Sequence, residues 1–208
     1  MREKDIIDRS KYQFTRNWFI KRNRRTFLNY VVPEWGGKPI TYLELGVFEG
    51  MSMVWMMQYV LTHPESRAVG VDPWLLTCKL SGETMEAVRQ RAFHNVSEWG
   101  DRCKLIRGNS DEVLRRMVGR WGFTGVRAGT VDLCMVDGNH NALAVWSDAR
   151  WVYRLLRVGG QVLFDDVEND IAKENHVKQG LQMFLTEIGG KMKLLWKHGY
   201  MECYAKVS

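Results

Sequence analysis

Two short polar runs carry most of the chemistry open to this 208-residue sequence. One is Asp137-Gly138-Asn139-His140, directly after the apolar run Val131–Val136. The other is Asp165-Asp166, directly after Gln161–Phe164. Adjacent carboxylates behind a buried strand repel each other unless a proton or a cation lies between them. With Asp137 they offer three hard oxygen donors, suited to Mg2+ or Ca2+ rather than to zinc. His140, three residues beyond Asp137, is a side chain able to act as a general base near neutral pH. Plainer roles exist for each: the acidic pair can solvate a loop or cap a helix, and His140 can be an ordinary surface residue.

A second group of residues suits a bound organic ligand. The run Leu43-Glu44-Leu45-Gly46-Val47-Phe48-Glu49-Gly50-Met51-Ser52 passes from an apolar strand-like stretch into a helical one. Glycines in such a turn let a ligand approach the backbone and the helix N-terminus. The spacing is E-x-G-x-x-x-G and not the G-x-G-x-x-G of dinucleotide enzymes. A pyrophosphate favours glycines and bare amides, whereas a carboxylate in the turn suits a cationic ligand or an amino group. The glycines alone could also do no more than make the turn. Asp72 in Gly70-Val71-Asp72-Pro73-Trp74 follows Gly50 by 22 positions, the placement of an acidic side chain that hydrogen-bonds a ribose diol. Asn109 and Ser110 in Gly108-Asn109-Ser110-Asp111 can cap the next helix, contact a base, or both.

Those residues need elements to hold them. Candidate strands are Thr41–Leu45, Ala68–Val71, Cys103–Ile106, Val131–Val136 and Gln161–Phe164, with a final hairpin of Met192–Lys197 and Met201–Lys206. Candidate helices are Met51–Leu61, Gly82–Glu98, Asp111–Trp121, Ala142–Leu156 and Ile171–Ile188. Strands alternating with helices predict right-handed crossovers and a mainly parallel sheet covered on both faces. Every candidate residue then falls at the carboxyl end of a strand, where open α/β sheets bind ligands. Within Ala142–Leu156, Val145, Ala149, Val152 and Leu156 form one apolar stripe opposite Arg150, Arg154 and Arg157. Gly159-Gly160 is placed to supply a left-handed C-cap. Residues 12–32 read as a helix in which Phe14, Trp18, Phe19, Phe27, Leu28 and Val31 alternate with basic side chains, ended by Pro33 and Gly36-Gly37.

Composition narrows the function classes. The apolar fraction is 45% and the charged fraction 26%, which is globular. Residues 1–38 contain ten basic and four acidic side chains and so carry the whole +6, while residues 39–208 balance at 20 against 20. This divides the chain into a basic, aromatic-rich N-terminal helical segment, 1–38, and a neutral domain, 39–208. It also argues against nucleic acid as the partner of the whole protein. The four cysteines form no C-x-x-C pair, so buried free thiols are expected, with Cys103 and Cys134 on central strands. The charged N-terminus lacks the apolar core of a signal peptide, and the uncharged stretch Gly50–Pro64 is shorter than a membrane span. No membrane association and a reducing, cytoplasmic location are expected.

Taken in order, Glu44–Gly50, Val71–Trp74, Gly108–Ser110, Asp137–His140, Gly159-Gly160 and Phe164–Asp166 resemble the class I S-adenosylmethionine-dependent methyltransferases. The resemblance is greatest to the branch that includes macrocin-type sugar O-methyltransferases, with catechol O-methyltransferase more distant, and spans about residues 40–206. It implies a Rossmann-like, doubly wound seven-stranded sheet with one antiparallel strand near the C-terminal edge. It implies S-adenosylmethionine held along the turn that contains Glu44, Gly46, Phe48, Gly50 and Ser52, with Asp72 on the ribose, Asn109 and Ser110 near the adenine, and Asp137 alongside. In metal-dependent members the positions matching Asp137, Asp165 and Asp166 hold Mg2+ or another divalent cation. The position matching His140 takes the substrate proton. One departure is Arg157-Val158 before Gly159-Gly160, where the family usually has a proline. The function implied is O-methylation of a small hydroxylated acceptor, sugar or catechol-like. A nicotinamide-dependent oxidoreductase is the alternative from another class. A nucleic-acid methyltransferase gripping phosphates with the N-terminal segment is a third reading, and a non-catalytic cofactor binder a fourth. The acceptor would be chosen by the N-terminal segment and by the stretches 74–81 and 168–176. The aromatic N-terminal helix could also pack on a second copy of the chain.

Overall fold

Strands buried on both faces read as nearly continuous apolar runs, and that is how the sheet is built. The computed structural model describes residues 7, 8, 10–75, 84–119, 124–168 and 175–208. Its strands are β1 (Thr41–Leu45), β2 (Arg67–Asp72), β3 (Cys103–Arg107), β4 (Val131–Val136), β5 (Leu156–Phe164), β6 (Met192–His198) and β7 (Met201–Lys206). They form one sheet in the order β3-β2-β1-β4-β5-β7-β6. The first five are parallel; β7 runs antiparallel to both β5 and β6. This is the doubly wound, mainly parallel sheet with one antiparallel strand that the alternation and the resemblance predict. Its strand order reverses between β1 and β4, which opens the ligand crevice there.

Alternate strand residues feed two apolar layers. Tyr42, Ala68, Leu133 and Met135 face one layer with Phe19, Phe27, Trp35, Trp55 and Val88. Leu43, Val69, Cys134 and Val136 face the other with Leu114, Val145, Val152, Leu181 and Phe184. The first layer is covered by α1 (Trp18–Arg22), α2 (Arg24–Thr26), α3 (Val32–Trp35), α4 (Met51–Tyr59) and α5 (Met85–Val96). The second is covered by α6 (Ser110–Val118), α7 (Ala142–Leu155) and α8 (His176–Ile188). α7 and α8 approach closely at Gly180, where an added Cβ would lie 2.3 Å from the Ala142 carbonyl oxygen.

Several boundaries differ from the sequence reading for identifiable reasons. The N-terminal helix begins at Trp18 rather than at Tyr12, because the backbone of Gln13 and Thr15 is bonded to Asn95 and Glu49 instead. It does not stop at Pro33: a π-helical turn, Phe27–Val31, precedes it, and the Val32 N–H bonds back to the Phe27 carbonyl. Pro33 then sits in the first turn of α3, where its missing N–H costs nothing. Gly159 does not cap α7. That helix ends at Leu155 and Leu156 is already extended, while Gly159, at φ +79°, lies inside β5 beside the register shift between Val131 and Leu133. Cys103 lies on the edge strand β3 rather than on a central one. Cys103, Cys134 and Cys203 are buried and free as expected. Cys78, the start of the expected helix 82–98, the end of 111–121 and the start of 171–188 lie outside the described residues.

Candidate functional site

The carboxyl ends of β1 to β5 are brought level by hydrogen bonds just beyond the ladder. Gly46 donates to the Val71 carbonyl at 2.9 Å, Gly108 to Asp72 at 3.1 Å, Asp137 to Leu45 at 2.9 Å and Asp165 to Val136 at 3.1 Å. All the candidate residues therefore share one rim of the sheet.

The glycine turn is pressed against the fourth strand. Gly46 has φ +88°, and a Cβ there would stand 2.0 Å from the Asp137 carbonyl oxygen. Only glycine satisfies both the dihedral and the approach. Beneath the turn, Glu44 is fully buried and accepts hydrogen bonds from Tyr42 Oη at 2.7 Å and from Ser52 Oγ. Burial pushes its carboxyl up to about 8. The two hydrogen bonds oppose the shift, and Asp137 and Asp72 add to it.

Asp72 organises the turn from the second strand. Its Oδ2 accepts the N–H groups of Val47 and Phe48, each at 2.9 Å, and its Oδ1 accepts that of Trp74 at 2.7 Å. Trp74 Nε1 donates to the Phe48 carbonyl at 2.9 Å, which closes the arrangement. Phe48 and Trp74 both hold positive φ, 51° and 43°. Such conformations cost of order 1–3 kcal/mol each and persist only where neighbours fix them. Here Asp72 does so. Burial raises its carboxyl and the three backbone bonds pull it down.

At the third strand, Asn109 is the N-cap of α6 and accepts from the Asp111 N–H at 3.0 Å. Ser110 bonds the buried Asp148 of α7, whose carboxyl burial pushes up to about 6. Both side chains thus have local partners at the rim.

A polar cluster forms at the ends of β4 and β5. Asp137, His140 and Asp166 each bring a ligand atom within 4.8 Å of the others. His140 Nε2 stands 3.8 Å from Asp137 Oδ1 and 3.6 Å from Asp166 Oδ2. Asp165 lies beside them with its oxygens engaged: Oδ1 accepts the Asp166 N–H and Oδ2 accepts Asn23 Nδ2 at 2.6 Å. Burial, then Asp165, raises the Asp137 carboxyl above the usual range, and His140 opposes this. Burial, then Asp166, raises Asp165 as well. Asp137 in turn raises the His140 imidazole, aided by Asp166 and Asp165 against partial desolvation.

No motif points to the residues that bind the N-terminal segment to this rim. Glu49, inside the glycine turn, accepts the Thr15 N–H and Thr15 Oγ1, each at 2.9 Å, and Arg91 Nε at 2.7 Å. Asn95 exchanges hydrogen bonds with the Gln13 backbone. Trp18 stacks on Phe48 at 5.1 Å. Arg22 Nη2 reaches Asp166 Oδ1 at 2.6 Å. These contacts join positions up to 144 apart, so no local pattern could have revealed them.

The geometry has counterparts. A family described as a methyltransferase domain, Methyltransf_24, matches residues 43–167. The uncharacterized protein R132 of Acanthamoeba polyphaga mimivirus is 24% identical over 166 residues, 79% of this chain and 68% of the viral protein. The fold is similar to that of an O-methyltransferase from Bacillus cereus in complex with SAH. The TM-score is 0.60 at 18% identity, over 86% of this chain and 79% of that one. It is also similar to the O-methyltransferase TomG from Streptomyces achromogenes, involved in tomaymycin synthesis and solved with SAM. Here the TM-score is 0.61 at 16% identity, over 88% and 79%.

Proposed function

Because the chain belongs to the methyltransferase-domain family, whose pattern spans residues 43–167, we propose that it methylates a hydroxyl group of a small acceptor with S-adenosylmethionine as donor. The observation that carries this reading is the contact between Gly46 and Asp137. It joins the ligand-binding turn of β1 to the acid–base cluster of β4, so donor and acceptor groups meet at one point of the rim.

The chain's own residues divide the work. Glu44, buried beneath the turn, gives up its proton as a cationic ligand binds there; Gly46, Phe48, Gly50 and Ser52 give that ligand access to the backbone. Asp72 is the ribose partner and at the same time holds the turn in shape. Asn109 and Ser110 flank the adenine. His140, half exposed beside two carboxylates, takes the proton of the acceptor hydroxyl, and Asp137 orients it. Holding both substrates on one rigid rim supplies much of the remaining rate through orientation. Residues 10–38 cover the acceptor side.

The donors at this cluster fit a divalent cation. Asp137 and Asp166 would hold it through oxygen, hard donors that suit Mg2+ and Mn2+, and leave His140 beside them to take the proton. Asp165 contributes through its bond to the Asp166 N–H. When bound, S-adenosylmethionine supplies an electrophilic methyl group on sulfur, and the metal lowers the pKa of the acceptor hydroxyl.

Calorimetry with S-adenosylmethionine, S-adenosylhomocysteine and NAD tests the reading. Binding of the first two without the third is expected. NAD binding without either of them would replace it with the oxidoreductase alternative.

A further inference from the structure

Asp166 already carries a cation of the chain's own. Arg22, on α1, donates from Nη2 to Asp166 Oδ1 at 2.6 Å, and its guanidinium lies over the Tyr200 ring at 4.6 Å. The next residue, the buried Asn23, donates to Asp165 at 2.6 Å. From the opposite side His140 faces the other Asp166 oxygen at 3.6 Å. One carboxylate is therefore shared between a guanidinium from the N-terminal segment and the imidazole of the acid–base cluster.

A metal ion bound to Asp166 would stand close to that guanidinium, and the two like charges would compete for one anion. The guanidinium stays protonated throughout the physiological range, so the repulsion is relieved by its moving away and not by loss of a proton. Movement is open to it: the Arg22 side chain is 36% exposed, whereas Phe19 on the same helix is buried in the core. α1 can stay docked while one side chain swings out. We propose that Arg22 is the resident counter-cation of this cluster and that a divalent cation binds by displacing it from Asp166. The inference rests on the reading of Asp137 and Asp166, beside His140, as a cation site.

The test is direct Mn2+ binding to the full chain at low ionic strength, followed by the electron paramagnetic resonance signal of free Mn2+. Arg22→Met should bind Mn2+ about tenfold more tightly than the unmodified protein. Arg22→Lys, which keeps the charge and loses the planar fork, should fall between them. Asp166→Asn should lose most of the affinity, while Asp165→Asn should change it little. Equal affinity in Arg22→Met and the unmodified protein would overturn the competition and leave the cation site standing. Failure of every form to bind Mn2+ at millimolar concentration would remove the cation site itself, and the proposal with it. Should Arg22→Met not fold by circular dichroism, Arg22→Lys decides: affinity no tighter than that of the unmodified protein overturns the proposal.

Discussion

A buried carboxyl responds to whatever positive charge arrives beside it, and Glu44 makes this measurable. Burial raises its pKa to about 8, so at neutral pH the unliganded protein holds a proton there that the unfolded chain would have released. The sign follows from linkage: the folded state is favoured by this group below about pH 4.5, and that contribution is lost as pH rises toward 8. A cationic ligand reverses the preference by stabilising the ionised form. S-adenosylmethionine affinity should therefore climb with pH up to about 8, by at most about tenfold per unit, and then level off. Calorimetry in buffers of different ionisation enthalpy should detect one proton released on binding below that pH. Glu44→Gln should abolish the release and weaken binding.

His140 makes a second prediction at the residue scale. Asp137 holds the imidazole above its ordinary pKa, so the base form is lost, and turnover falls, as pH drops through that raised value. His140→Ala should lower kcat by roughly 10²–10⁴-fold with S-adenosylmethionine affinity unchanged, and activity should recover as pH rises. An equal loss in kcat and in cofactor affinity would show that His140 shapes the binding turn instead.

At the scale of elements, the turn after β1 depends on two fixed points. Gly46→Ala places a Cβ 2.0 Å from the Asp137 carbonyl oxygen at a positive φ. The strain alone costs of order 1–3 kcal/mol and overpacking adds a similar amount, so the midpoint of urea unfolding should drop and cofactor binding should be lost. Asp72→Ala should do more than remove a ribose contact, because the N–H groups of Val47, Phe48 and Trp74 lose their acceptor together. Cofactor affinity should fall by more than the factor of roughly 10–150 that one charged hydrogen bond of about 1.5–3 kcal/mol accounts for. The N-terminal helices make a parallel case. Phe27 is fully buried and packs edge-on against Phe19 at 4.9 Å and Trp55 at 5.8 Å. Phe27→Ala should cost about 3–5 kcal/mol in urea denaturation, whereas a helix lying loosely on the surface would lose almost nothing.

For the whole molecule, charge and burial bear on the choice of partner. The +6 of residues 1–38 reads in isolation as a phosphate grip. In the fold Phe19, Phe27 and Trp35 are buried, while Lys21, Arg22 and Arg25 face outward and Arg22 is paired with Asp166. Affinity for RNA or DNA should accordingly be weak, with little salt dependence; a steep fall with salt, several ions per complex, would restore the nucleic-acid reading. Among the described residues no helix is long and apolar enough to cross a membrane.

The sequence by itself determined the layered α/β sheet, the order of its parts and the rim on which the site lies. Those follow from local signals: apolar runs of strand length, helical stripes such as Val145, Ala149 and Val152, and glycines and acids placed at strand ends. It also marked Glu44, Gly46, Asp72, Asp137 and His140, because each lies at or just past the carboxyl end of a legible strand. Tertiary structure decided which oxygens converge. Asp165 and Asp166 are indistinguishable in sequence, yet one turns to Asn23 and the other to His140 and Arg22. It also decided that the N-terminal segment reaches the rim through Thr15, Trp18 and Arg22. Contacts between residues far apart in the chain carry no periodic signature, since their geometry exists only once the sheet has brought its strand ends level.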